Sequence, residues 1–433
     1  MPSLSELNPN QKIIRELSDR IVAAQKPIRI LDAIKWGPEI KEAFLKSGCT
    51  TLPAISPQYY QQRPLPFDAE FKRQEFMEIE RDIVRLLGQY SSISNIMQKM
   101  CREYRRAIDM LAARGTAEFS KIAIELYGSA NDAFYPGAPV LKDLSKMLTV
   151  PLHSLRQHLV SDLDQKRYTS EQAISILSDR LNQYFKDSNK PVVVVQSDDI
   201  VADAAAGAAS IKLRRNAMFS ERDLRILEVH EGWVHVGTSR NGELQPICSF
   251  LGKGAPSSTI TQEGLAVITE IFTFSSNPER VQRITDRVAG IGMAEEGADF
   301  LEVFRYFQAL GLQDGENYNL VSRLFRGSLP NCGPFTKDLA YAKGFVLIYN
   351  YIRLAVQQGL TDHIPLLFVG KTTLEDLHTL LELQQEGLVI APKYMPPQFT
   401  DLAALSSWMC FSLFMNKLDL NKLSENFKPI LHG

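Results

Sequence analysis

Two histidines five residues apart, His230 and His235, bracket a glutamate and a glycine in the string Leu227-Glu-Val-His-Glu-Gly-Trp-Val-His235. Imidazole nitrogens are ligands for borderline metal ions such as zinc. A glutamate directly after the first histidine, here Glu231, is placed to take a proton from a metal-bound water. The common zinc-hydrolase helix reads H-E-x-x-H, with histidines at i and i+4. This chain reads H-E-x-x-x-H. On a regular α-helix i+4 lies roughly 40° from alignment and i+5 roughly 140°. The two rings would diverge unless a π-bulge brings i and i+5 back onto one face. Gly232 lies inside the spacer and lowers the steric obstacle to such a distortion. A bulge or an early unwinding is expected here.

A hydrolytic zinc ion needs a third protein ligand and an open position for water. Glu263, in Thr259-Ile-Thr-Gln-Glu-Gly264, is the candidate. Thr259 and Gln262 read as a capping box, which puts Glu263 in the first turn of a new helix, at its positive end. Gly264 is expected to let the metal helix approach. Glu270, seven residues on along the same face, is expected to support a ligand from behind. The plainer account of these residues is two hydrogen-bonded core histidines and an ordinary acid near a helix start.

The elements that must position them follow. Ser220 with Asp223 reads as a helix start and Gly237 as a stop, which gives a metal helix over 221–236. Upstream, the β-branched run Pro191 to Gln196 reads as a strand. Ser210 to Leu213 reads as a second, after an alanine-rich loop from Ala202 to Ala209. The rest has helical periodicity: the first fifty residues, Ala69 to about Arg114, Leu141 to Leu148, Leu152 to Leu163, and Ser170 to Phe185. Pro53, Pro57, Pro64 and Pro66 make Leu52 to Phe67 a non-helical connection. Gly252-Lys-Gly254 reads as a turn between the two metal-bearing helices. The expected fold is mainly α with a small β-sheet around a zincin-like metallopeptidase core. Its expected division is an N-terminal helical arm with a Pro-rich connection (1–70), a helical lobe (71–190) and a catalytic lobe (191–433).

The bulk properties exclude some alternatives. In 433 residues the formal net charge is -2, with 45% hydrophobic and 23% charged residues, so nothing points to nucleic acid. The N-terminus has no secretory pattern. The longest apolar stretches, Gly344 to Val356 and Leu402 to Met415, fall short of the roughly 20 residues that span a bilayer and read as buried helices. Cys49, Cys101, Cys248, Cys332 and Cys410 are odd in number and lack a C-x-x-C pair, which reads as reduced thiols in a cytoplasmic protein.

The Gln262-Glu-Gly-Leu-Ala266 string and the H-E-x-x-x-H helix resemble the flavohaemoglobin expression-modulating QEGLA-motif proteins of bacteria, relatives of the animal microtubule-associated tyrosine carboxypeptidases. Glu16 to Arg20, Lys212 to Asn216 and Phe335 to Tyr341 also match. The resemblance implies that His230, His235 and Glu263 bind one Zn2+ and that Glu231 is catalytic. The histidine spacing is also similar to that of dipeptidyl peptidase III. A peptide or protein C-terminus is the implied substrate, so a terminal carboxylate must be held by basic groups. Arg214 or Arg215 is the candidate, with Lys212 and Asn216 nearby on what would be an edge strand. Tyr341 and Lys337, with Arg323 and Arg326 just before them, are candidate donors to a developing oxyanion. His153, His158, His363, His378 and His432 read as structural or surface groups. The expected function is a zinc metallopeptidase of carboxypeptidase type, with a non-enzymatic, zinc-containing partner-binding protein as the alternative.

Overall fold

The computed structural model describes residues 7–431, apart from 160, 189, 199, 201–203 and 207–209. Helix makes up 67% of the chain and strand 4%, a mainly α protein with a small sheet, as expected. The first long helix, Pro9–Gln25, opens with a reciprocal cap between Asn8 and Gln11. Its Leu17 and Ile21 are buried with Phe76, Met97 and Leu111 from the helices Ala69–Leu87 and Ser92–Ala112. The same apolar cluster runs on through Leu265 and Ile268 to Phe368. A second cluster packs Trp36 and Phe44 against Phe300, Phe304 and Tyr318.

Several boundaries differ from the sequence expectation. The helical run from Ala69 divides at Gly88, whose φ of +80° ends the first helix. The Pro-rich connection contains a short helix, Pro57–Gln61, because a proline at the first helical position forgoes no bond. The two helices expected between Leu141 and Leu163 are one, Leu141–His158, with Pro151 inside it; packing against helix Pro278–Glu295 carries the axis past the missing bond. Helix Leu402–Met415 is not fully buried. Leu405, Met409 and Ser412 face inward, while Trp408, Phe411 and Phe414 are exposed, because only one face meets helix Ala340–Gln357. Among the described residues no helix is long and apolar enough to cross a membrane. All five cysteines are free, and Cys49, Cys101 and Cys248 are buried.

The sheet lies immediately before the histidine helix. Strand Ser210–Arg214 runs parallel to Val193–Ser197 and antiparallel to Ala204–Ala206. It is therefore the central strand, not the expected edge, and its backbone is paired on both sides. Ile211 and Leu213 point into a third apolar cluster with Leu177 and Leu181 of helix Ser170–Tyr184 and Leu224 of the histidine helix. The expected loop from Ala202 includes the short strand Ala204–Ala206; its other positions lie outside the described residues.

One contact fixes the remaining half of the site. Helix Ser258–Phe272, which carries Glu263, packs against Ala340–Gln357 with Gly264 facing Gly344. A Cβ on Gly344 would stand 2.0 Å from the carbonyl oxygen of Ile260, and one on Gly264 would stand 2.3 Å from the carbonyl carbon of Gly344. Gly264 thus admits this helix, where the sequence had suggested that it admits the histidine helix.

Candidate metal centre

The histidine helix begins as Glu221–Leu227, capped reciprocally by Ser220 and Asp223. It then widens into a π-helix over Glu228–Val236 and returns to α-helix over Gly237–Glu243. The N–H of Gly237 donates to the carbonyl of Gly232, five residues back. The expected widening is present and covers nine residues. Gly237 does not stop the helix; its backbone is right-handed helical (φ -56°, ψ -52°). The continuation is held by tertiary bonds: Asn241 donates to the carbonyls of Phe368 and Tyr394, and Gln245 to those of Val369 and Ile390. Gly232 has a second role, since a Cβ there would lie 2.2 Å from Leu181 Cδ2.

The widening turns both imidazoles inward, with ring centroids 4.8 Å apart. Glu263 Oε2 lies 3.3 Å from His230 Nε2 and 3.5 Å from His235 Nε2. Two ligands on a tetrahedral zinc, each about 2.0–2.1 Å from the ion, stand roughly 3.4 Å apart. Glu263 Oε2 is buried and finds no hydrogen-bond partner among the described residues. The donor set, its spacing and this orphaned oxygen fit a zinc ion. Glu231 brings a carboxylate oxygen to within 4.8 Å of the histidine nitrogens. Glu263 itself sits two residues deeper in its helix than expected. The helix starts at Ser258, one residue before the expected cap, with no side-chain cap, and Gln262 is turned to other partners.

Glu270 backs the first histidine, with Oε1 2.6 Å from His230 Nδ1. Arg280 grips the same carboxylate through Nε (3.0 Å) and Nη2 (2.8 Å). Burial alone would raise the Glu270 carboxyl, but Arg280 and His230 hold it down to about 2. An ionised carboxylate accepts, so Nδ1 carries a proton and Nε2 is the nitrogen turned to Glu263. Burial likewise opposes ionisation of Glu263, but the two histidines and Lys337 hold it well below the usual carboxylate range. Against its own burial, His230 is pushed up to about 9 by Glu263 and Glu270. The cluster is built to hold positive charge.

A family model for the microtubule-associated tyrosine carboxypeptidases matches residues 42–417. The chain belongs to this family. Comparison with the curated proteins gave no match. The span matched to the family takes in the helices that carry His230, His235 and Glu263, and Lys337 and Tyr341; helix Leu420–Leu431 lies beyond it.

Within that span the structure adds Lys371, which the sequence did not single out. Its Nζ donates to the carbonyl of His235 (3.0 Å) and to Gln262 Oε1 (2.8 Å). Thr238 donates to the same Gln262 oxygen at 2.7 Å. Burial pushes the Lys371 ammonium down to about 7. Ser239 Oγ also donates to the His235 carbonyl (2.8 Å), where the π-helix hands over to the α-helix. Lys371 thus ties the histidine helix to the glutamate of the QEGLA string through its glutamine neighbour. It lies 109 residues from Gln262, and no local pattern marks it. Lys371→Met is expected to weaken zinc retention about tenfold or more, as loss of support behind a ligand does. Chelator competition measures it; retention equal to wild type would remove the brace from the account.

The other candidates divide. Lys337 Nζ is 3.8 Å from Glu263 Oε1, and the Tyr341 ring stacks 6.1 Å from that of His230. Burial pushes the Tyr341 phenol up to about 12, so it keeps its proton. Lys212 and Asn216 are exposed, and Arg215 pairs with Asp198 at 3.0 Å. Arg214 borders two cavities, of about 510 and 420 Å³, that it shares with Lys41, Asn319 and Arg323. A third cavity, about 440 Å³, is lined by His235, Glu263 and Lys371 and opens on the metal cluster. Gly252 to Gly254 forms the turn expected between the helices, and Tyr104 donates to the Gly254 carbonyl. His378 is exposed, 3.5 Å from Glu382. His432 and the side chains of His153 and His158 lie outside the described residues.

Proposed function

We propose that this protein is a zinc-dependent metallopeptidase of carboxypeptidase type, acting on a peptide or protein C-terminus. The observation that carries the reading is the convergence of His230 Nε2 and His235 Nε2 on the unpartnered Glu263 Oε2, at 3.3 and 3.5 Å. Family membership supports the peptidase class. The small sheet leading into the histidine helix supports a zincin-like core, and buried free thiols suit a reducing, cytoplasmic setting.

His230, His235 and Glu263 would hold the ion and leave one position open. Zinc, when bound, would polarise the scissile carbonyl and acidify a water. Glu231 accepts that water's proton on its carboxylate. As the C–N bond breaks, Glu231 passes the proton to the departing amine nitrogen. Tyr341, kept protonated, offers its O–H toward the carbonyl oxygen as negative charge develops there. Glu270 and Arg280 keep the His230 ring in one orientation throughout.

Purified protein is expected to carry one zinc per chain and to shorten peptides by one residue at a time from the C-terminus. Metal analysis and mass spectrometry of digested peptide mixtures read both. Protein that takes up no zinc, or cuts only at internal bonds, would overturn the reading.

A further inference from the structure

The last two described helices carry one apolar stripe each, and both stripes stay open to solvent. In Leu402–Met415 the side away from the core shows Trp408 (54% exposed), Phe411 (71%) and Met415 (45%). Leu418, in the turn that follows, is 42% exposed. Helix Leu420–Leu431 buries none of its residues. Its Leu420 (77%), Phe427 (50%) and Ile430 (76%) are exposed, and Leu423 is half-buried. Positions 408, 411, 415 and 418 advance by three, four and three residues, and so do 420, 423, 427 and 430. That step keeps side chains on one side of a helix, and it is the repeat by which two helices interlock. Phe414 and Leu431, also exposed, widen the two stripes.

The stripes do not cover one another within the chain, although only the turn from Asn416 to Asp419 separates the helices. A helix of 12 residues with no buried side chain is marginal by itself in water. Exposed apolar surface of this extent marks a place where something binds. The two stripes expose roughly 1,000 Å² of apolar side chain per copy, with about 150–250 Å² for each fully exposed aromatic ring. Covered in two copies, they reach roughly 2,000 Å², against the about 1,200–2,000 Å² that a stable interface buries.

Charge selects the occupant. Residues 402–415 include no charged side chain, and the polar side of Leu420–Leu431 mixes Lys422, Glu425 and Lys428. A helix made for a lipid surface carries a strongly basic polar side. An uncharged stripe is matched by another of the same step, and this chain holds both. We propose that the protein forms a two-fold dimer in which helix Leu420–Leu431 of each copy lies on Trp408, Phe411 and Met415 of the other. The exchange is reciprocal, so it closes at two copies and covers both stripes at once. It is independent of the peptidase reading.

At micromolar concentration, sedimentation equilibrium of wild type is expected to give twice the 48.7 kDa of one chain. Phe411→Glu and Phe427→Glu are each expected to weaken pairing about a hundredfold or more. Both side chains are exposed in the single chain, so circular dichroism should keep the helix content of wild type to within the 12 residues of the last helix. The third sample is an equimolar mixture of the two variants. One contact per pair stays intact there, between the unaltered last helix of the Phe411→Glu chain and the unaltered stripe of the Phe427→Glu chain. The mixture is expected to pair at least tenfold more tightly than either variant alone. Wild type at the mass of one chain, variants that pair like wild type, or a mixture no tighter than its components overturns the dimer. Monomeric wild type that sediments with vesicles of phosphatidylcholine and phosphatidylserine would overturn it in favour of a lipid surface.

Discussion

Glu231→Gln is expected to reduce peptide hydrolysis by about 10²–10⁴-fold while leaving the zinc content unchanged. Glutamine keeps the shape of the side chain and its place next to His230, but an amide oxygen does not take a proton from water at neutral pH. The ligands proposed for the metal are His230, His235 and Glu263, so the substitution removes none of them. Two measurements check it: metal per chain stays level while the initial rate collapses. A variant that retains zinc and cleaves within tenfold of wild type would take the general-base role from Glu231. A variant that loses zinc would make its carboxylate a ligand, a role its position within 4.8 Å of the histidine nitrogens also permits.

Gly344→Val is expected to unfold the site by destabilising the protein by about 3 kcal/mol or more. A Cβ at that position would meet the Ile260 carbonyl oxygen at 2.0 Å and the Gly264 nitrogen at 2.8 Å, both backbone atoms that cannot rotate away. The helices must then part, and helix Ser258–Phe272 carries Glu263 and Glu270 with it. Thermal melting and metal content should fall together. A melting temperature within a degree or two of wild type would mean that the helices slide past one another freely, and that the glutamate is held by something other than this contact.

The convergence of His230, His235 and Glu263 was legible in the sequence because they sit in two short strings with a defined spacing. The i and i+5 histidines demanded a widened turn on geometric grounds alone, and the π-helix over Glu228–Val236 supplies it. Glu270 was found by its helical offset from Glu263. Features set by distant chain segments were not legible. Gly237 looks like a stop, but Asn241 and Gln245 hold the helix together through residues more than a hundred positions away. Thr259 looks like a cap, but the helix begins two residues sooner and Gln262 bonds to Thr238 and Lys371. The run Lys212 to Asn216 looks like a binding edge, but Val193–Ser197, expected as a strand, and Ala204–Ala206, expected as loop, pair with Ser210–Arg214 on its two sides.

The widened turn has an effect beyond the two imidazoles. Taking one residue out of the spacer would leave histidines at i and i+4, a spacing that a plain α-helix already serves. What would change is everything after it: Thr238, Asn241 and Gln245 would swing by about 100° around the axis. Those three side chains dock the second half of the helix onto Gln262 and onto the segments near residues 368–370 and 390–394. The additional residue is thus a phase setting, which lets one continuous rod present its two imidazoles to Glu263 and its second half, correctly rotated, to the body of the protein.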